Sequence, residues 1–340
     1  MPSDPTGALI RNLLFIQRYS NTVSAKTRAR LRELFDELAG IIAKHDPSSV
    51  QPRYRQARVE KIMQEVAKLT GQSFREIRSQ VRADLSKLAV QQTSFMAETL
   101  KKATDFVVDF SRGNMSLQMA KDIIDTNPFE GLTLKQWAEG QSARTVQQVR
   151  RQIQIGMVQN EGIPELVKRV RGDVQEATAR EAEAIVRTAV NDVVNTAHMH
   201  TYEANADVLT AVEWVAALDG RTCAACGAMD GRTWKLDDPD IKRPPLHWND
   251  RCVMVAVVDW ESLGLEAPDP GTRSARDEDG KSIQVSSQTR YEQWLRDAPR
   301  SVQEEVLGKG RARLFRKGKT LADLVRDDGS LVRLDELEAT

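Results

Sequence analysis

The stretch VLTAVEWVAALDGRTCAACGAMDGRTW, residues 208–234, is where the chain changes character. Residues 209–217 alternate and carry β-branched side chains, the pattern of a half-buried strand. CVMVAVVDW (252–260) reads as a second, buried strand. Between them Asp-Gly-Arg-Thr occurs twice, at 219–222 and 230–233. Asp-Gly marks a tight turn because glycine accepts positive φ. Residues 208–260 therefore predict a small antiparallel β module.

Upstream of this point the hydrophobic spacing is helical. Leu31, Leu34, Phe35, Leu38, Ile41 and Ile42 recur at three-four intervals, one apolar face of an α-helix. Pro47 to Pro52, with Ser48 and Ser49, predicts a break. Val59, Ile62, Met63, Val66 and Leu69 define a second helix, which Gly71 is expected to end. Ser73 and Glu76 have capping-box spacing. They open a third helix through Phe74, Ile77, Val81, Leu85 and Leu88, continuing to Phe106, Val107 and Phe110. A short helix over about 116–125 follows, then a capping box at Thr133 and Gln136 with helix to about 156, then a long helix over about 173–206. Residues 261–289 have the Pro, Gly, Ser and charge of a linker, and 290–340 predict a small helical module. The fold class is α+β: a mostly α-helical N-terminal body with a small antiparallel β module stabilised by a Cys/His cluster.

Composition excludes several classes. Lys plus Arg and Asp plus Glu both number 49, so the chain is neither a histone-like polycation nor an acidic tail. No apolar run approaches the roughly 18 residues of a membrane span. The first residues lack the basic region of a secretory signal. Three cysteines, all between 223 and 252, do not make a disulfide framework.

Those cysteines carry the chemistry. Cys223 and Cys226 form C-x-x-C after the first Asp-Gly turn, with His247 and Cys252 following near the second strand. Three soft thiolates and one imidazole match a tetrahedral, four-ligand zinc site of structural type. The same residues also suit a metal-free cluster, with thiols simply buried and His247 capping or stacking on Trp248. A redox C-x-x-C lacks its strand-then-helix context. His198 and His200 lie on opposite helix faces and do not share a metal. No P-loop motor motif and no H-E-x-x-H is present. A basic block, Lys309, Arg311, Arg313, Arg316, Lys317 and Lys319, is either a solvated face or a non-specific contact to nucleic-acid phosphates.

The segments IVRTAVND (185–192), WVAALDGRTCAACGAMDGRTW (214–234) and PPLHWNDRCVMVAVV (244–258) resemble the phage head morphogenesis family, the Mu F-like minor head proteins of tailed phages. The tail WLRDAPRSVQEEVLGKGRARLF (294–315) is also similar to tails of such proteins. The run from His247 through Trp248, Asn249, Asp250 and Arg251 to Cys252 is longer than the family pattern. The resemblance implies a Mu F-like domain over 113–260, preceded by a helical region over 1–112. It implies a non-enzymatic minor protein of the virion, assembled in the host cytoplasm, which acts with the portal and capsid proteins in head morphogenesis. Roles in DNA packaging or ejection come with it, while a non-specific contact to double-stranded DNA rests on the basic block alone. The alternative is a metal-dependent nuclease of HNH or treble-clef type, which would need His247 as a base.

Overall fold

A computed structural model describes residues 5–45, 52–159, 161–269, 271–277 and 279–338. It is α+β, mostly helical with two small antiparallel sheets. The elements in order are α1 (Pro5–His45), α2 (Pro52–Ala103), α3 (Leu117–Thr126), α4 (Leu134–Val158), α5 (Ile163–Arg169) and α6 (Gln175–Glu203). Then come β1 (Leu209–Val215), α7 (Ala224–Met229), β2 (Thr233–Lys235), β3 (Val253–Val258), β4 (Thr272–Arg276) and β5 (Ser282–Ser286). Four helices close the chain: α8 (Tyr291–Asp297), α9 (Arg300–Arg316), α10 (Leu321–Leu324) and α11 (Leu334–Glu338). Contacts gather the chain into two compact units, Arg18–Lys87 with Leu117–Val190, and Met1–Gln17 with Leu88–Ser116 and Asn191–Thr340. These cut across the expected boundaries near residues 112 and 260.

In the all-helical unit, Leu31, Leu34, Phe35, Leu38 and Ile42 are buried, as their spacing predicts. Of the expected break at Pro47 to Pro52, residues 46–51 lie outside the described residues; α2 begins at Pro52. The capping box of α4 forms, Thr133 accepting from the Gln136 amide.

Gly71 does not end a helix, and Ser73 with Glu76 does not start one: α2 runs through both. A helical glycine costs about 1 kcal/mol relative to alanine. Burial of Val66, Phe74 and Ile77 around it offsets that cost. Glu76 accepts from Arg30 and Gln72 rather than from a cap amide. A Cβ built on Gly71 meets only Arg75 Nη1, at 3.5 Å. Gly71→Ala is therefore expected to raise stability by about 1 kcal/mol, seen as a higher urea midpoint; a lower midpoint would contradict this.

The end of α2 is a second departure. The helix stops at Ala103 instead of running on to Phe110. Asp105 N bonds Lys102 O and Phe106 N bonds Lys101 O, a Schellman closure with both residues at positive φ. No glycine marks it in the sequence. Phe106 and Val107 consequently lie 61% exposed while Phe110 is buried.

The other unit holds the sheet β2-β1-β3, antiparallel throughout, with Val212 opposite Trp234 on one side and Ala256 on the other. Trp214, Val212, Met254 and Val255 bury their side chains in one core with Met199 and Tyr202 of α6. The outer edge of β3 is covered from α6. Asn195 donates to Cys252 O and accepts from Met254 N, and Tyr202 Oη donates to Met254 O. These side chains satisfy backbone groups that an edge strand leaves unpaired.

Residues 261–289 are not an irregular linker, since they include the hairpin of β4 and β5. Its inward positions are Arg273 and Ala275, both buried. An arginine at a core position made this strand read as charged linker. The C-terminal helices share a core with α7: Tyr291, Leu295, Leu307, Phe315 and Leu321 pack with Ala224 and Leu218. A side chain at Gly227 would fall 2.2 Å from the Tyr291 ring, so only glycine permits this approach.

Candidate metal centre

The first Asp-Gly turn carries the chain from β1 into α7. Cys223 is the N-cap of α7, its Sγ accepting from the Cys226 amide at 3.4 Å. One helical turn thereby aims both sulfurs the same way. The 244–252 loop supplies the other half. His247 Nε2 lies 3.3 Å from Cys223 Sγ and 3.1 Å from Cys226 Sγ. Its Nδ1 faces Trp248 O at 2.9 Å, which fixes the ring from behind.

Cys252 enters through Cys226. Ligand atoms of Cys223, Cys226 and His247 lie within 4.8 Å of one another, as do those of Cys226, Asp250 and Cys252. Cys226 belongs to both groups, so the two halves meet at its sulfur. Tetrahedral zinc sites place their ligand atoms about 3.5–3.8 Å apart, close to the sulfur–nitrogen spacings here. The donor types, three thiols and an imidazole, suit zinc; Cys223, Cys226 and His247 are gathered together, while Cys252 groups with Cys226 and Asp250 and not with Cys223 and His247. Cys226 and Cys252 are each 2% exposed.

The electrostatics follow from this crowding. Hydrogen bonding from Cys226, then from His247, brings the Cys223 thiol down to about 4 against the opposition of burial. The Cys223 sulfur in turn lifts His247 to about 9. Cys226 is pushed up by its neighbours Cys223 and Cys252 and by burial. Burial pushes Cys252 up to about 12. The directions favour negative charge on Cys223 beside positive charge on His247, and oppose it on Cys226 and Cys252.

Three aspartates that the sequence reading treated as turn or spacer residues build the frame. Asp250 sits inside the loop between His247 and Cys252. Its carboxylate accepts from Leu246 N and Cys252 N, both at 2.8 Å, folding the intervening residues into a tight loop. Asp219, of the first Asp-Gly-Arg-Thr, accepts from both arms of Arg251 at 2.7 and 2.6 Å. Burial raises its carboxyl, but Arg251 outweighs that and holds it below the usual range. Asp230, of the second repeat, accepts from Ala216 N and Tyr291 N at 2.7 Å and pairs with buried Arg273. The repeat itself was the available signal: an Asp in each copy could bond more than its own turn.

His198 and His200 are not part of the centre. His198 is buried, its Nε2 3.0 Å from Gln92 Oε1, which also accepts from Asn12 Nδ2. Its Nδ1 has no hydrogen-bond partner among the described residues. Burial lowers its pKa to about 3. The folded state therefore takes up the proton later than the unfolded chain does. The associated stability is complete above about pH 6.5 and is lost as pH falls toward 3, at about 1.4 kcal/mol per unit. His198→Gln, which keeps a donor for Gln92, is expected to flatten the decline in melting temperature between pH 7 and 4.5; an unchanged slope would contradict this.

The basic block falls on α9 and its end. Arg311 donates to Val332 O, and Arg316 to Gln303 and Glu304. Lys309, Arg313 and Lys317 are exposed, and Lys319 is half-buried.

Comparison with known proteins places this geometry. Residues 147–255 match the family described as Phage Mu protein F like protein. That span runs from α4 into β3 and contains Cys223, Cys226, His247 and Cys252. The chain is also similar to the minor head protein GP7 of Bacillus phage SPP1, 28% identical over 182 residues. The alignment covers 49% of this chain and 56% of that protein. No solved structure matches the chain. The resemblance read from the sequence holds: residues 147–255 form a Mu F-like region. Among the described residues, no helix is long and apolar enough to cross a membrane.

Proposed function

We propose that the chain is a minor structural protein of a tailed-phage head, acting in head morphogenesis with the portal and capsid proteins. The observation that carries this reading is the Mu F-like match over 147–255. The name of the SPP1 relative supports it. The protein would assemble in the host cytoplasm and stay with the virion, in a structural rather than an enzymatic role. Exposed Lys309, Arg313 and Lys317 would meet packaged double-stranded DNA without sequence preference, in contacts that weaken with salt and that contribute to packaging or ejection.

Cys223, Cys226, His247 and Cys252 would hold one structural zinc ion. When bound, the metal supplies a cross-link between α7 and the start of β3, with no open position for a catalytic water. The nuclease alternative gains nothing from the geometry, because His247 Nε2 faces two sulfurs. Co-expression with cognate portal and capsid proteins tests the function. Retention of the chain in gradient-purified particles is expected; its absence from particles that otherwise form would overturn the reading.

A further inference from the structure

The all-helical unit carries a feature that the Cys/His centre does not explain. Along one side of α2 and α4 lies an open groove of about 610 Å³. Ala67, Gly71 and Phe74 on α2 and Ala138 and Val146 on α4 supply its apolar lining, with polar and charged side chains between them. From Ala67 to Arg78 it follows α2 for about 16 Å, three helical turns. A side cavity of about 30 Å³ opens beside it, sharing Phe74, Arg78 and Ala138 and continuing to Leu134 and Val186. That is room for the tip of one aliphatic side chain.

Two further observations point outward. Gly71 lines the groove in the middle of a 52-residue helix, and nothing but the end of Arg75 lies within 4 Å of where its Cβ would be. No close contact inside the protein calls for a glycine, whereas a neighbour seated in the groove would. Arg75 and Arg78 line the same groove, and neither makes an ion pair among the described residues. The lining carboxylate, Glu139, is 3.9 Å from Lys135.

We propose that this groove receives an amphipathic α-helix of a partner protein, with an apolar stripe against the floor and carboxylates facing Arg75 and Arg78. A helix satisfies its own backbone hydrogen bonds, which these side-chain walls cannot do for an extended peptide. The two guanidiniums, of which Arg78 also lies near enough to Asp125 to lower its carboxyl, select acidic flanks through charge complementarity. This inference stands on the groove alone and does not require the head-protein reading.

The test uses the full chain and three fluorescent helical peptides of about 16 residues with one shared Leu/Ala stripe. Their flanks are Glu, Gln or Lys. The Glu peptide is expected to bind at least about tenfold more tightly than the Lys peptide, and Arg75→Glu with Arg78→Glu is expected to reverse that order. Gly71→Leu should abolish binding while leaving the melting temperature unchanged or higher; Ala138→Leu is the second filling variant should Gly71→Leu misfold. No binding of the Glu peptide, or equal binding of all three, would overturn the proposal. So would filling variants that bind normally, a groove that instead binds a double-stranded oligonucleotide, or a self-association that the filling variants abolish.

Discussion

Cys226→Ser is expected to be the most damaging single substitution at the centre. Serine is close in size, so packing alone changes little. Burying its hydroxyl in a metal-free cluster would cost about 1–3 kcal/mol. Loss of a structural metal is a larger effect, since zinc contributes roughly 10 kcal/mol or more to zinc-finger peptides. Cys226 is the sulfur common to both ligand groups, so its removal disconnects them. On the proposed reading, metal-loaded wild type exceeds Cys226→Ser by several kcal/mol, and chelation of wild type reproduces most of the difference. Amide exchange should show β1 and β3 losing protection while α4 keeps it. A loss below about 2 kcal/mol that a chelator does not mimic would leave the buried-thiol reading standing.

The second large effect is expected at Arg273. Its side chain is 2% exposed and that of Asp230 is fully buried. The guanidinium donates to Thr289 O at 2.9 Å and also to Ala216 O. It thus ties the hairpin to the end of β1 and to the turn that leads into α8. Arg273→Met would leave Asp230 charged in the core and two carbonyls unpaired. Breaking a buried pair from one side costs about 3–5 kcal/mol. The double variant Arg273→Met with Asp230→Asn should recover part of this, because no lone charge remains. Urea midpoints check both; a single-variant cost under about 1 kcal/mol would show that water reaches the site.

These two sites differ in how legible they were. The Cys/His residues stood out because their types are few and their spacing has a known use. β1 and β3 were legible because Val212 and Trp214 alternate on one face and 253–258 is continuously apolar, whereas the bulge between Leu209 and Ala211 that brings Leu209 into the same core was not. The Arg273–Asp230 pair was not legible. A charged residue at an inward strand position looks like solvent-facing sequence until its partner, 43 residues away, is placed beside it. Gly71 misled for the opposite reason: its local preference to stop a helix is about 1 kcal/mol, and burial on both sides exceeds that. The left-handed closure at Asp105 and Phe106 uses residues that seldom adopt it, so no pattern announced the end of α2. Asp250 looked like an insertion that lengthened the His247 to Cys252 run, whereas its two backbone bonds fold that length into the loop that carries both residues.

On the proposed reading, Cys223, Cys226, His247 and Cys252 form one structural metal centre. Metal analysis of the full untagged chain, purified without chelator, tests it most directly. The account predicts one zinc per folded chain and none in Cys226→Ser. Folded wild-type protein that carries no metal and takes up none from added zinc would contradict it.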